Sequence, residues 1–348
     1  MQPPPSAPPR VREASLADRP EWDRFVGEEC GGVLLQSWGW GEIRRQFGWG
    51  VTRLVAQGQG GAGWRGVLQL LYRPVGLPLI RWAYAPRGPA LASPTDDLAG
   101  LALLRGARSR LLRRGVVVLR LDPEWEAAGA GAELRRRLRL RPMPFDIQHR
   151  RTWLVDITGS EDEVRGRLPP STRRNVALAE RAGVTVANLA GEGVEPFYRL
   201  HLGTVARQRF QTRPLAYYQA VLAGLDASVV LATKDGRPLA AAVVATSGPR
   251  LAYLYGGSDP GPHRAMYAVH WAAIRWGRER GCRLYDMWGV PRRFSPGDPG
   301  PGYAVFKTRW GGRMEDHSGL QAAPWLGPLD RPLAGLEGLL LARRPLLT

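Results

Sequence analysis

Apolar and polar residues follow two different periods in the first 140 residues, and each period predicts one type of secondary structure. Apolar residues three or four positions apart predict amphipathic helices, whereas alternating or unbroken apolar runs predict strands. Gly58–Gly63 predicts a hairpin loop between the first two strands. Pro94 stands where a helix favours proline, just inside its start. The predicted helices cover Leu16–Glu28, Ser37–Phe47, Ser93–Arg114 and Ala130–Leu140, and the predicted strands cover Val51–Ala56, Val67–Tyr72, Ile80–Tyr84 and Val116–Leu121.

The same alternation of patterns restarts after the segment Arg141–Phe145, whose two prolines predict a linker. Ser160 followed by Glu163 predicts a helix that begins with a capping box. A tight turn is predicted at Lys234–Arg237. The remaining predicted helices are Ser171–Ala182, Val194–Arg207, Leu215–Leu225 and Arg264–Arg280, and the strands are Thr152–Ile157, Val184–Asn188, Val229–Thr233, Leu239–Thr246, Leu251–Tyr255 and Arg283–Met287.

The order of these elements predicts a mixed α/β (α+β) fold with two domains of similar plan. Each half shows helices, a mostly antiparallel meander, a long helix and a further strand, which is similar to the acyltransferase fold of the GNAT type. A chain of 348 residues is also long for one domain. We expect residues 1–145 with about 313–348 to form domain 1 and residues 146–312 to form domain 2. The apolar and basic run Leu336–Leu346 is expected to be the last packed piece of domain 1.

Composition gives information on the cellular compartment and on the kind of binding partner. The formal charge of +18 favours an anionic partner, although 47 of the 49 basic residues are Arg, which a biased genome would also produce. Cys30 and Cys282 match no disulfide or metal spacing. No export signal or apolar run long enough for a bilayer is visible. We therefore expect a monomer in the cytoplasm, with contact to the inner face of the membrane left open.

The sequence lacks the motifs that several kinds of catalysis require. There is no phosphate-binding loop with Lys-Ser/Thr, no nucleophile elbow and no metal-ligand spacing among the five His residues. A CoA-dependent enzyme of this fold needs a glycine-rich turn before the long helix, and here Gly261–Met266 contains proline and bulky side chains. Proline removes amide donors, so this turn argues against CoA as the acyl donor.

Seven strings occur in the order in which they appear in the FemABX family, the aminoacyltransferases that build peptidoglycan interpeptide bridges. The chain resembles this family over nearly its whole length, and it resembles the compact FemX-like branch because it shows no heptad pattern for a coiled-coil arm. The strings are Leu35–Trp40, Tyr84–Pro89, Leu121–Pro123, Thr172–Asn175, Tyr253–Ser258, Tyr285–Val290 and Phe306–Gly312.

The resemblance implies two GNAT-like domains with a substrate cleft between them, and it implies roles for five residues. Arg44, Arg207 and Tyr255 match positions that contact the precursor, although Arg44 replaces a Lys and so changes the contact geometry. Phe306 and Lys307 match a pair beside the reaction centre.

Two candidate catalytic residues can also be interpreted from the sequence itself, without the family resemblance. Lys307 is one of two lysines in a chain that otherwise uses Arg, which suggests a compact ammonium suited to an oxyanion; accident of composition is the alternative. Asp122 ends an apolar strand and could orient or deprotonate an amine, but Asp-Pro is also a common turn start. Asp286 has the same ambiguity. The basic face with Arg173 and Arg174 suits phosphates and solvent equally.

The resulting hypothesis is transfer of an amino acid from aminoacyl-tRNA to the side-chain amine of a precursor stem peptide. The precursor is UDP-linked or lipid-linked, and no metal or organic cofactor is implied. Two alternatives stay open. One is an N-acyltransferase of the same fold that uses acyl-CoA or an acyl carrier, and the other is a non-catalytic module that binds tRNA or lipid.

Overall fold

Two structural units follow from the contacts within the chain. The computed structural model describes residues 7–325 apart from 61, 76, 209, 262, 298 and 324. Within that range, unit 1 comprises residues 7–150 and 316–325, and unit 2 comprises residues 151–315. The C-terminal segment Leu336–Leu346 lies outside the described residues. No helix among the described residues is long and apolar enough to span a bilayer.

Strands and helices alternate along both units. The strands are β1 (Arg10–Glu13), β2 (Gly50–Gln57), β3 (Trp64–Val75), β4 (Leu77–Ala85), β5 (Ala90–Leu91), β6 (Val116–Leu121), β7 (Arg141–Pro142), β8 (Arg151–Asp156), β9 (Thr185–Leu189), β10 (Ala227–Lys234), β11 (Arg237–Ser247), β12 (Arg250–Ser258), β13 (Leu284–Val290), β14 (Arg313–Asp316) and β15 (Gln321–Ala322). The helices are α1 (Arg19–Arg24), α2 (Trp38–Gln46), α3 (Asp97–Leu112), α4 (Gly129–Arg137), α5 (Glu161–Arg167), α6 (Pro170–Arg181), α7 (Val194–Gln208), α8 (Leu215–Gly224), α9 (Ala265–Glu279) and α10 (Gly302–Thr308).

The sheet of unit 1 has the strand order β1-β2-β3-β4-β6-β15-β7, with β5 paired to β3. Its meander β1 to β4 is antiparallel, and β4 pairs in parallel with β6 because α3 connects them. The apolar face of α3, with Leu103, Ala107 and Leu111, is buried in the core of this unit. The capping and packing of α3 therefore fix where β6 and the residue after it lie.

The sheet of unit 2 has the order β14-β8-β13-β12-β11-β10-β9 and repeats this plan. Its meander is antiparallel, and β12 pairs in parallel with β13 across the connection that contains α9. The predicted capping box is confirmed: Glu163 N donates to Ser160 Oγ at 3.2 Å, and Ser160 N donates to Glu163 Oε2 at 2.6 Å.

Three local predictions for unit 1 were wrong. The helix predicted over Leu16–Glu28 is divided into a 3-10 turn, α1 and a π-helical turn over Phe25–Glu29, because Pro20 starts a new helix. Helix α3 begins at Asp97 rather than Ser93, because the Asp96 carboxylate accepts Ala99 N at 3.0 Å and caps it. The predicted linker contains β7, which pairs with β15.

Close backbone approach shapes unit 2 where α7 packs on β12. A Cβ added to Gly257 would lie 2.3 Å from His201 N and 2.5 Å from the Leu200 carbonyl carbon, and both belong to the backbone of α7. Such distances do not occur in folded proteins, so the residue at this position must be glycine for α7 to reach the sheet. Gly257 thus serves the packing of α7 on β12.

We expect Gly257→Ala to lower the free energy of unfolding by about 1–3 kcal/mol, the usual cost of an overpacked core. The matched control is Gly203→Ala in α7, whose Cβ would meet only the flexible end of Arg207 at 3.4 Å. Alanine suits a helix interior, so the control should raise stability by about 0.5 kcal/mol. Urea denaturation of both variants is the measurement, and equal effects would contradict this account of α7 packing.

Candidate active site

The six predicted site residues are divided between the two units. In unit 2, Phe306 and Lys307 lie on α10, Arg207 lies near the end of α7, and Tyr255 lies on β12. In unit 1, Arg44 lies on α2 and Asp122 follows β6 directly. Helix α10 itself was not predicted from the sequence.

Lys307 is a buried lysine with one direct hydrogen-bond acceptor among the residues that the structure describes. Its side chain is 7% exposed, and Nζ donates to the carbonyl oxygen of Gly289 at 2.7 Å. The rings of Tyr253 and Tyr303 lie 5.8 and 5.5 Å from Nζ, at cation–π distance. Burial lowers the pKa of Lys307 to about 7, and the negative charge of Asp286 opposes that shift. The ammonium and the neutral amine are therefore both accessible near neutral pH.

Phe306 and His270 form the apolar wall beside Lys307. The Phe306 ring packs against Tyr267 at 5.1 Å and against His270 at 5.0 Å between centroids. His270 is completely buried, and its Nδ1 is 2.6 Å from the hydroxyl of Tyr285. Burial, with a smaller effect of the Lys307 charge, lowers the pKa of His270 to about 3. This imidazole is neutral at physiological pH, and it makes the surroundings of Lys307 apolar rather than charged.

A cavity of about 340 Å³ is lined by Phe306 and by residues at the start of α9. Its polar rim includes Arg237, which forms an ion pair with Asp259 at 2.8 Å. The cavity lies beside the Gly261–Met266 turn, whose sequence is unsuited to binding a pyrophosphate, and Arg264 in this turn has a left-handed backbone (φ 56°). Its lining includes Leu239, Ser258, His263, Met266, Tyr267 and Phe306. An apolar or planar group can enter close to α10.

Arg207 and Tyr255 are held near the end of β12. Arg207 Nη2 donates to Thr204 Oγ1 at 3.0 Å and to the carbonyl oxygen of Ser258. The Tyr255 ring packs against Tyr218 at 5.0 Å, and its hydroxyl lies 3.5 Å from that of Tyr217. Both residues are thus positioned by contacts between α7, α8 and β12.

His201, which sequence analysis placed in no site, organises this region. Its Nδ1 is 2.9 Å from the Gly256 carbonyl oxygen and its Nε2 is 3.0 Å from the Tyr218 hydroxyl. The carbonyl can only accept, so Nδ1 carries the proton and Nε2 accepts from Tyr218. Burial lowers the pKa of His201, which preserves this neutral tautomer. No spacing in the sequence indicates this partnership.

Arg44 is a buried cation without a carboxylate partner among the described residues. It is 4% exposed, and its guanidinium lies 4.8 Å from the centre of the Trp49 ring. Arg73 contacts the same ring at 4.6 Å. In this part of the chain Arg44 Nε has no hydrogen-bond acceptor. A buried guanidinium in this state favours binding of an anion.

Asp122 is occupied on both oxygens. Tyr84 Oη donates to Oδ2 at 2.6 Å, and the backbone N of Arg87 donates to Oδ1 at 2.7 Å. Complete burial raises the pKa of Asp122 to about 6, although Arg87 and the hydrogen bonds oppose the shift. These contacts hold the loop after β4, where Arg87 has a positive φ of 56°. They favour the structural reading of Asp122, and its catalytic role stays a prediction.

Comparison with known proteins finds similarity to acyltransferases. A model of the acetyltransferase (GNAT) domain matches residues 170–308. The UDP-N-acetylmuramoylpentapeptide-lysine N(6)-alanyltransferase of Weissella viridescens is 26% identical over 288 residues, which cover 77% of this chain and 83% of that protein. The lipid II:glycine glycyltransferase of Staphylococcus aureus is 28% identical over 231 residues, which cover 62% of this chain and about half (53%) of that protein.

Solved structures share the fold. The crystal structure of FemX superposes with a TM-score of 0.82 at 21% identity, covering 94% of this chain and 99% of that one. The structure of L-PGS from Bacillus licheniformis gives a TM-score of 0.57 at 15% identity, covering 94% and 98% of the two chains. The predicted fold, two GNAT-like domains with mixed sheets, is confirmed. Among the described residues the longest helix is α3, with 16 residues, so this part of the chain has no coiled-coil arm.

We expect Lys307→Met to change how stability depends on pH. The pKa of Lys307 is about 7 in the folded protein against an ordinary 10.5, so between these values the unfolded chain binds a proton that the native protein does not. Wild-type stability therefore rises with pH across this window, and the Met variant lacks that rise. Relative to wild type, Lys307→Met should be more stable at pH 6 than at pH 9.

Urea denaturation at both pH values measures this difference, with Lys234→Met in the Lys234–Arg237 turn as the control for losing a lysine elsewhere. A stability difference between Lys307→Met and wild type that stays constant from pH 6 to pH 9 would show that the ammonium is not destabilised by its site.

Proposed function

We propose that this chain, a member of the FemABX family, is an aminoacyltransferase that transfers an amino acid to the stem peptide of a peptidoglycan precursor. The observation that carries the proposal is the buried Lys307 ammonium, held on the Gly289 carbonyl beside Phe306 and a cavity. A GNAT-type fold in which a single ammonium is held in an apolar environment suits acyl transfer through a tetrahedral oxyanion.

The donor in this proposal is an aminoacyl-tRNA and the acceptor is a side-chain amine of the precursor, UDP-linked or lipid-linked. The two curated relatives are named for a UDP-linked muropeptide and for lipid II, which supports both acceptor forms without choosing between them. The formal charge of +18 supports two anionic substrates, a tRNA and a diphosphate-bearing precursor. Both substrates place the reaction in the cytoplasm, the lipid-linked form at the inner face of the membrane.

The reaction is aminolysis of an ester. The neutral amine attacks the ester carbonyl carbon, a C–N bond forms, and the carbonyl oxygen becomes an oxyanion that the Lys307 ammonium stabilises. Collapse breaks the ester C–O bond. The amine gives up a proton and the tRNA ribose oxygen takes one, so protons balance. The ester is already activated, and the proposed step therefore needs no cofactor.

The other predicted residues have binding roles in this proposal. Arg44 is buried and its Nε has no hydrogen-bond acceptor among the described residues, which supports a contact to the diphosphate of the precursor. Arg207 and Tyr255 contact the precursor from unit 2, and Phe306 confines the acyl group next to Lys307. Asp122 remains a candidate proton acceptor, but it would have to release the hydrogen bonds from Tyr84 and Arg87. The cleft between the domains stays a prediction.

An acyl-CoA-dependent N-acyltransferase is the second candidate, because the matching GNAT domain model describes acetyltransferases. The sequence of the turn before α9 argues against it. The two candidates differ in a simple observation: acetyl-CoA or CoA should raise the melting temperature of an enzyme that uses CoA and leave an enzyme that uses aminoacyl-tRNA unchanged. A binding module without activity would give no product with either donor.

Transfer of radiolabel from mixed aminoacyl-tRNAs to purified UDP-linked and lipid-linked precursors tests the proposed reaction. We expect labelling that is abolished by RNase treatment of the tRNA pool before the assay. Lys307→Ala should lower kcat by about 10²–10³-fold, the usual effect of losing an oxyanion donor. Lys234→Ala is the matched control and should keep wild-type kcat. Wild-type activity in Lys307→Ala would remove Lys307 from the mechanism.

Arg44→Ala should raise KM for the diphosphate-bearing precursor about 10–100-fold, the effect of losing a charge-assisted hydrogen bond of about 1.5–3 kcal/mol. Arg44→Lys should restore part of the affinity, because it keeps the charge but loses the planar donor pair. The control acceptor is the same muropeptide without its diphosphate. If Arg44→Ala weakens binding of both acceptors equally, the diphosphate is not what Arg44 recognises.

A further inference from the structure

Strand β13 contains an irregularity immediately before the carbonyl group that Lys307 binds. From Asp286 to Gly289 the strand advances three residues, while its antiparallel partner β8 advances only two, from Leu154 to Thr152. The extra residue is accommodated at Trp288, whose φ of 66° is in the left-handed region. This is a β-bulge, a feature that re-aims groups at functional sites. A tryptophan side chain does not favour a positive φ, so contacts with other residues must stabilise this backbone conformation.

The carboxylate of Asp286 holds the bulge. Its Oδ1 accepts the backbone N–H of Trp288 at 2.8 Å and also accepts the hydroxyl of Thr152 on β8. Its Oδ2 lies 3.5 Å from Arg250 Nη1 on β12. Asp286 is 3% exposed, so these bonds are made away from solvent and are correspondingly strong. One buried side chain thus ties three adjacent strands at the bulge.

The bulge ends at Gly289, and the Gly289 carbonyl oxygen is the acceptor 2.7 Å from Lys307 Nζ. Moving this carbonyl would leave the buried ammonium without its direct hydrogen bond, at a cost well above that of an ordinary neutral pair. The position of Lys307 therefore depends on Asp286 through two backbone groups, Trp288 N–H and Gly289 C=O.

Asp286 also provides the negative charge that acts on Lys307. Within the described ranges, the other titratable groups that face the ammonium are Tyr253 on β12, Tyr303 on α10 and the neutral His270 on α9, and none of these carries a negative charge near neutral pH. Burial raises the pKa of both tyrosines, which keeps them protonated. Arg250 offsets part of the Asp286 charge through their ion pair.

We propose that Asp286 is a positioning residue that acts through Lys307: it fixes the Trp288 bulge, so that the Gly289 carbonyl meets the ammonium, and its charge favours the ammonium over the neutral amine. The inference rests on the proposed function only for its catalytic consequence. The effect on Lys307 itself can be measured without any substrate.

The composition of the chain makes that measurement direct. Lys234 and Lys307 are its only lysines, so protein labelled with [ε-¹³C]lysine gives two lysine resonances, which Lys234→Arg assigns. We expect Asp286→Asn to lower the pKa of Lys307 by about one pH unit, because Asn keeps the acceptor for Trp288 N–H and removes the charge. Lys234 is the internal control. Asp226→Asn removes a carboxylate paired with Arg280 in the same unit and should leave Lys307 unchanged.

The bulge is tested by a matched pair at position 288. Trp288→Gly and Trp288→Val both remove the indole, but only Val opposes a positive φ. We expect Lys307 in Trp288→Gly to titrate as in wild type, and Lys307 in Trp288→Val to shift in resonance and in pKa. Circular dichroism confirms that each variant is folded. If Asp286→Asn does not fold, the Trp288 pair decides alone.

Two results would overturn the inference: an unchanged pKa of Lys307 in Asp286→Asn, or identical Lys307 titrations in the two Trp288 variants. The catalytic consequence is a separate result. In the transfer assay, the alkaline limb of the kcat profile should move to lower pH by the same amount in Asp286→Asn, whereas a purely structural role would lower kcat equally at every pH. If wild type transfers nothing, the proposed function fails and the NMR result still stands.

Discussion

The hydrogen bond between the buried Lys307 ammonium and the Gly289 carbonyl is the interaction around which unit 2 is arranged. An isolated ammonium in an apolar interior is costly, and a buried lysine normally loses its proton or is absent. In this protein one carbonyl, two tyrosine rings and one carboxylate charge together stabilise the Lys307 ammonium. These groups come from β13, β12 and α10, so the sheet and the short helix α10 must be correctly placed against each other for the ammonium to be retained.

An aspartate carboxylate has a similar structural role in each of the two units, but only one of the two lies near a lysine. In each unit a long helix leads into a strand that pairs in parallel with the meander, and an aspartate lies on or directly after that strand. Asp122 accepts the backbone N–H of Arg87, and Asp286 accepts that of Trp288, each a residue with a positive φ. Both carboxylates therefore stabilise strained backbone. Only unit 2 places a lysine beside the result, so under the proposed reaction unit 2 carries the chemistry and unit 1 contributes binding.

Sequence patterns predicted the helices and strands well where local preference and tertiary contacts agree. They predicted them less well where a side chain distant in sequence determines the start or the conformation of an element. Helix α3 was placed too early because Ser93-Pro94 is a good helix start, whereas the actual cap, Asp96, is fixed by Arg65 from β3, 31 positions earlier. Helix α10 was missed because seven residues after a stretch rich in Gly and Pro show no period. The bulge at Trp288 was invisible for a similar reason: no local preference favours Trp at a positive φ. Lys307 was predicted from the family resemblance, with its rarity in this chain as a supporting observation, and its role stays a prediction.

Lysine has physical advantages over arginine at position 307, although this chain uses arginine at almost every other basic position. Guanidinium presents five N–H donors in a fixed plane, and the described part of the chain already shows the difficulty: Arg44 Nε and Arg87 Nε and Nη1 are buried without hydrogen-bond acceptors. Around α10 the described residues offer one direct acceptor, the Gly289 carbonyl, and a compact ammonium leaves two donors to face the rings or a substrate oxygen. Arginine would also stay charged at every pH, whereas Lys307 loses its proton near pH 7. Under the proposed reaction, Lys307 can therefore both stabilise an oxyanion and exchange a proton, which an arginine could not do, and the negative charge of Asp286 favours its protonated form.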